Sequence, residues 1–386
     1  MRSQFTIKKI TFYFLTLCVL SSCHKKKDGT PSPTTNYSSY NFTDANFKQQ
    51  TVVLLLIDSL LNNVNALGND GAQPLSASSL NALYDNTNHL FASIDTGVSL
   101  SALVNSGEVF FSDTQIRAYF DSIQTRSSNP VFLQTPGSDS TNTIATGLYL
   151  PEYYEKCFMG ALIYYQANQI FTQLLTADNT TINAAYRTTD MIHLWDELFG
   201  YMGMPLDYPT WNYDQLDNGV QNLSAAPTQP DFINHRTDFL FGEYIGRSTF
   251  EDTSFTTKGP TNYVQNIFNA FVTGRMAIAD KDYITRDVQL TIIKDIWERI
   301  IASQAISYAN KCLSIYPRQG QQASNLYGQH WSEMCGFVHM FQYNTTNDLG
   351  SSNINLLYGY VGNEPAATTV TSLNNLITLL KTTYGF

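Results

Sequence analysis

The chain has 386 residues, with 22 Lys+Arg against 32 Asp+Glu and a formal net charge of −10. Aromatics reach 13% and charged residues only 14%, a composition that fills a large core and excludes disorder over most of the length. The acidic balance argues against a nucleic-acid partner and against docking on an anionic membrane surface.

The first residues predict an address. Arg2, Lys8 and Lys9 precede the mostly apolar stretch from Ile10 to Leu20, and Leu20-Ser21-Ser22-Cys23 has the form of a lipobox. Residues 1–22 are therefore expected to be a lipoprotein signal peptide, and Cys23 the acylated first residue that anchors the mature chain in a lipid bilayer. The apolar stretch is well short of the ~20 residues that a spanning helix needs. Removing the signal shifts the net charge to −13. His24 is not an acidic retention signal, so the outer membrane is the expected destination. Residues 23–36, with Lys25–Lys27 and a Pro/Ser/Thr run, read as a flexible tether. Residues 37–386 read as one all-α domain, with 37–204 and 231–386 as candidate halves.

Helical periodicity then dominates. Val53, Leu56, Ile57, Leu60, Leu61, Val64 and Leu67 share one face and end at Gly68. Leu80, Leu83, Tyr84 and Phe91 outline a second helix, and Asp113 opens a third with Ile116, Tyr119, Phe120 and Ile123. Residues 126–147 read as a polar loop. Pro151, with Glu152 and Glu155 in the first turn to suit the dipole, starts a helix to about Leu175. The next is expected over Ile182–Met202. A connection from Pro205 to Pro230 precedes helices at about 231–247, 261–279, 285–315, 321–342 and 366–384. About ten helices in bundle packing are expected. The mature cysteines beyond Cys23 are Cys157, Cys312 and Cys335, read as buried free thiols.

One pattern occurs twice. Trp195-Asp196-Glu197-Leu198-Phe199-Gly200-Tyr201 and Trp331-Ser332-Glu333-Met334-Cys335-Gly336-Phe337 both read W-x-E-x-x-G-aromatic, as a duplicated bundle would. In each, the Gly would mark close helix approach. His193 and Glu197 are i,i+4 and His330 and Glu333 are i,i+3, so each pair shares a helix face. Bundles hold metals with such pairs, which makes all four candidate ligands for a divalent metal, iron or zinc. The simpler alternative is a hydrogen bond fixing helix register. His339 lies on about the opposite face from His330, and His89 and His235 have no local partner. Arg275 and Lys281, among Asp280 and Asp282, are candidates for an acidic ligand or for an ion-pair network. Trp211, with Tyr208 and Tyr213, is a candidate sugar-stacking surface. No HExxH, GxSxG, Walker or GxGxxG pattern occurs, so a binding protein is expected in preference to an enzyme.

Several blocks resemble one family. Glu155–Ala161 with Tyr164-Tyr165-Gln166, His193–Tyr201, Gly274–Ile278 with Lys281-Asp282, Trp297-Glu298, and Trp331–Glu333 with Gly336-Phe337 are similar to blocks of the lipoproteins called domain of unknown function 4856. That resemblance implies an envelope address and a helical fold over the mature chain, and no activity. Gly328-x-His330-x-x-Glu333 also resembles the G-x-H-x-x-E motif of imelysin-like proteins, which implies metal binding linked to iron uptake. Three functions follow as expectations: a binding lipoprotein for a metal or metal complex, a surface glycan- or nutrient-binding lipoprotein partnering an outer-membrane transporter, or a hydrolase without a recognisable signature.

Overall fold

The run from Val52 to Ile57 is apolar on every side, so a helix containing it has no face to give to water. In the computed structural model it forms α1 (Lys48–Asn65), and all six residues are buried. The structure describes residues 45–68, 73–92, 94–105, 109–129, 146–211, 240–255, 262–317, 325–344 and 348–386. The expected signal 1–22, Cys23, the tether 23–36, Tyr213, His235 and most of both long connections lie outside them.

Short polar residues start most of the remaining helices by accepting a backbone N–H. Ser76 caps α2 (Ala77–Tyr84), and Ser112 with Gln115 forms a capping box on α3 (Asp113–Ser127). Pro151 occupies the first turn of α4, which runs through Leu150–Phe158, a wide π-helical turn Met159–Tyr164, and Tyr165–Gln173. Thr189 caps α5 (Asp190–Met202), which Gly203 ends in the left-handed region. Next come α6 (Phe241–Phe255) and α7 (Tyr263–Ala279), the latter capped by Asn262. Asp282 caps the 32-residue α8 (Tyr283–Ser314). The chain finishes with α9 (Asn325–Met340), α10 (Gly350–Val361) and α11 (Val370–Tyr384).

Eleven helices and no strand are found among the described residues, an all-α fold. None of these helices is long and apolar enough to cross a membrane. The centre is built by α8 and α9, with α9 also lying on α4, and α7 bridging α8 and α5. Helices from 37–204 and 231–386 therefore interleave within one compact unit. Cys157, Cys312 and Cys335 are buried free thiols.

Three elements differ from expectation. Residues 182–189 form a hydrogen-bonded loop rather than the head of α5. Asp178 takes the N–H groups of Thr180 and Thr181, Asn183 Oδ1 takes that of Ala185, and the Asn183 N–H reaches forward to the Thr188 carbonyl, so the single turn that Arg187 N–H closes on the Asn183 carbonyl is not continued into α5. The second helix stops at Tyr84 and leaves Phe91 in turns. Helix α10 was not anticipated; only Leu357 and Val361 are buried in it, too few to print a periodicity.

Candidate functional site

Gly336 lets α4 cross α9 closely: a Cβ there would overlap the Lys156 side chain. The crossing traps Lys156 at 0% exposure. Its Nζ lies 2.9 Å from Glu155 Oε1 and 3.4 Å from Glu152 Oε2, over the rings of Tyr244 (5.0 Å) and Phe337 (5.7 Å). Glu333 enters from α9 and is itself buried. It meets His330 Nδ1 at 3.0 Å and is hydrogen-bonded by Tyr308 of α8 and to Glu152. Gln329 Nε2 donates to Glu152 Oε1 at 3.2 Å, and Tyr244 Oη donates to Glu155 Oε1 at 3.3 Å. Arg247 of α6, paired with Glu243, also acts on Glu155.

Four carboxyl groups thus gather around two cations, Lys156 and Arg247, and their protonation follows from burial and neighbours. Burial works against the Lys156 ammonium, but Glu155, Glu152 and Glu333 outweigh it and raise its pKa, so it stays charged. Burial also pushes Glu152 up, yet Lys156 and the Gln329 hydrogen bond bring it below the ordinary carboxylate range. Burial and then the Glu152 charge raise Glu333, against the hydrogen bond from His330 and the charge of Lys156. Glu155 is raised by burial, which outweighs the opposing pull of Lys156. Glu333 is thus held toward its neutral form and Glu152 toward its charged one. Their side chains are 22% and 8% exposed and that of His330 21%, so the cluster reaches solvent along one edge.

The second His/Glu pair is separate. His193 Nε2 is 3.6 Å from Glu197 Oε1, and Gln50 Nε2 of α1 donates to the same oxygen at 3.0 Å. The two repeats share a device: Gly200 admits α1, where a Cβ would lie 2.6 Å from Phe47 Cβ and 2.8 Å from Gln50 Cβ, as Gly336 admits α4. The first pair draws on α4, α6 and α8, the second on α1 and the loop before α5; none of the contacts described joins them.

The coordinates place the two other candidates, and in each the alternative to a ligand site is what the contacts show. Arg275 and Lys281 form no common anion site. Arg275 is buried, its Nε 2.6 Å and Nη2 3.0 Å from the two oxygens of Asp196 on α5, whereas Lys281 is exposed in the turn after α7. Trp211 packs back on the fold, its Nε1 donating to Asp207 Oδ1 at 3.0 Å and its ring edge-on to Tyr208. Lys156, Tyr244, Tyr308 and Gln329 were not anticipated as part of a site. Their one signal is Glu152-x-x-Glu155-Lys156 heading an otherwise apolar helix, a pattern that the helix dipole alone explains.

The donors at the α4–α9 crossing, two carboxyl oxygens and an imidazole, suit a borderline divalent ion chemically. As arranged, however, no group of three or more His, Cys, Asp or Glu among the described residues is placed to hold one.

An all-α bundle whose central crossing buries a carboxylate–lysine cluster is the class that the fold defines. A family model described as domain of unknown function (DUF4856) matches residues 37–357, and the chain belongs to that family. No curated protein and no solved structure matches it.

Proposed function

We propose that this chain is a cell-envelope lipoprotein, anchored through Cys23, that binds a small cation, a divalent metal or metal complex, at the α4–α9 crossing. The observation carrying this reading is the charge balance: among the described contacts, Glu152, Glu155, Glu243 and Glu333 are met by two permanent cations, Lys156 and Arg247, with His330 beside Glu333. Two negative charges are left for protons or a bound cation to meet, and desolvation makes leaving them unmet costly. Glu152, Glu333 and His330 lie on the solvent-reaching edge and would have to draw together to hold the ion. Lys156 keeps Glu155 and the inner side of Glu152 occupied. A bound divalent ion would compete with the proton that burial favours on Glu333, so affinity falls as pH falls. The imelysin-like reading of Gly328-x-His330-x-x-Glu333 is in keeping with this role; an outer-membrane transporter is the partner of the alternative, glycan- or nutrient-binding reading.

Thermal melts of the full chain with Mn(II), Fe(II) and Zn(II) at pH 7.5 and 5.5 test the proposal. Stabilisation at the higher pH, lost in His330→Ala and Glu152→Gln, is expected. Melts unmoved by all three metals would leave the cluster a structural ion network.

A further inference from the structure

Between the end of α4 and the start of α5 lies a cavity of about 460 Å³, lined by Gln173, Thr176, Asn183, Tyr186, Asp190 and His193 with two small apolar neighbours. We propose that this cavity binds a neutral hydroxylated ring, a monosaccharide or one unit of a glycan. It is separate from the α4–α9 cluster and stands independently of the cation reading.

Four observations carry it. One wall is an aromatic pair: the Tyr186 and His193 rings stack with centroids 3.8 Å apart and planes 11° from parallel. Such a flat apolar wall suits the C–H face of a sugar. The polar groups beside it are planar and two-pronged. Asp190 Oδ1 accepts from Tyr186 Oη and, at 3.3 Å, from Asn183 Nδ2, and the Gln173 amide stands at the rim. Carboxylate and carboxamide groups of this kind can each serve two neighbouring hydroxyls. His193 adds a ring nitrogen with an unmet need: Nδ1 is buried and has no hydrogen-bond partner among the described residues. A ligand hydroxyl that turned the ring so as to reach Nδ1 would relieve that cost.

The fourth observation is preorganisation. Thr189 Oγ1 donates to Asn179 Oδ1 at 2.7 Å, and Asn179 Nδ2 ties the loop to the Ile278 carbonyl of α7 at 2.7 Å. Arg187 is held at φ +64°, a conformation that a non-glycine residue adopts only when its surroundings impose it. The loop therefore presents Asn183 and Tyr186 without an ordering cost at the moment of binding.

Charge selects the ligand class. Asp190 lines the cavity, Glu197 lies behind His193, and no lysine or arginine is among the lining residues. A phosphate, sulfate or uronate would meet repulsion without a counter-charge. A neutral polyol does not meet that repulsion; a cationic amine could also use Asp190, and putrescine is the probe that decides between them. The volume falls within the usual range of small-molecule pockets, roughly 300–1,000 Å³.

The test is calorimetric titration of the full chain, detergent-solubilised, with glucose, galactose, mannose, xylose, N-acetylglucosamine and their β-linked disaccharides. Glucuronate, glucose 6-phosphate and putrescine are the charged probes. Saturable binding of at least one neutral sugar is expected, with none of the charged probes binding more tightly. Asn183→Ala and Tyr186→Ala should each weaken it by about tenfold or more. Tyr186→Phe, which keeps the stack, should lose less than Tyr186→Ala. Thr378→Ala, on the exposed side of α11, should leave binding unchanged. Circular-dichroism melts establish that each variant is folded. No saturable binding of any neutral sugar, tighter binding of a charged probe, or sugar binding indifferent to both Asn183→Ala and Tyr186→Ala would each overturn the assignment.

Discussion

His339 has only 7% of its surface exposed, and its surroundings decide its charge. Its ring stacks on Phe110 at 3.6 Å, Tyr153 Oη lies 3.1 Å from Nδ1, and Cys335 Sγ is 3.7 Å from Nε2. None of these is a carboxylate. Burial alone lowers its pKa to about 3. In the unfolded chain an imidazole titrates near ~6.5, so the unfolded state takes up a proton first as pH falls. The contribution is fully present above pH ~6.5 and is lost progressively below it, by about 2 kcal/mol between pH 7 and pH 5. Denaturant melts across that range should show this slope in the parent chain and lose it in His339→Gln. Lys156 behaves in the opposite sense. Lys156→Met leaves Glu152, Glu155 and Glu333 crowded without their shared cation and should cost roughly 3–5 kcal/mol. Because protonation relieves that crowding, the deficit should be larger at pH 8 than at pH 5. Neither environment is legible in the sequence. Position His339 reads as a histidine apart from the His330 set, which holds, but its aromatic nest comes from Phe110 and Tyr153, both more than 180 residues away. Glu152 and Glu155 read as helix-dipole residues, and the role of Lys156 between them is hidden because its ring partners and Glu333 come from α6 and α9.

At the scale of elements, close crossings are fixed by single glycines. Gly274 of α7 lies against the Trp195 indole, whose Nε1 donates to the Phe271 carbonyl at 2.8 Å. A Cβ at 274 would overlap that ring, and no flexible end is available to move. Gly274→Ala should therefore cost at least about 1–3 kcal/mol and lower the melting temperature. The same two helices are tied by Arg275 and Asp196. Removing either partner alone strands a buried charge, so Asp196→Ala and Arg275→Ala should each cost about 3–5 kcal/mol. Asp196→Ala combined with Arg275→Ala should cost clearly less than the sum, which a double-mutant cycle reads directly. The glycines of the two W-x-E-x-x-G repeats were legible as close approaches, since a Gly amid large apolar residues on a helix has few other uses. Helix bodies were legible for the same reason: Val53–Val64 and Leu290–Ala309 repeat apolar residues at helical spacing. The segment 182–189 was not. Ile182, Ala184 and Ala185 are compatible with a helix, and only the side chains of Asp178 and Asn183 and the cap at Thr189 remove the backbone groups a helix would need.

For the whole molecule, anchoring and fold are separable. Cys23→Ala should abolish acylation and leave the chain unprocessed or soluble after fractionation, with an unchanged far-ultraviolet spectrum from the helical unit. Recovery of that variant in the membrane fraction by detergent extraction alone would count against the anchor. The proposed lipobox rests on a linear motif, which a sequence can display, whereas a binding site is read from residues brought together by folding. The wide turn at Met159–Tyr164 links these sites in a further way. There Tyr165 N–H reaches back five residues to the Gly160 carbonyl, so α4 holds one residue more than an ordinary helix of that course would. One residue is worth about 100° of rotation. Glu152 and Lys156 lie before this turn and Gln173 after it, so it works as a phase shifter between two ends of a single shaft. Ordinary substitutions leave that angle alone. Loss of a single residue, such as Ala161, would swing Asn168, Phe171 and Gln173 together by more than a quarter of a revolution while every side chain on the shaft stayed intact. Chains of this family should therefore vary in letter along 159–164 far more readily than in length.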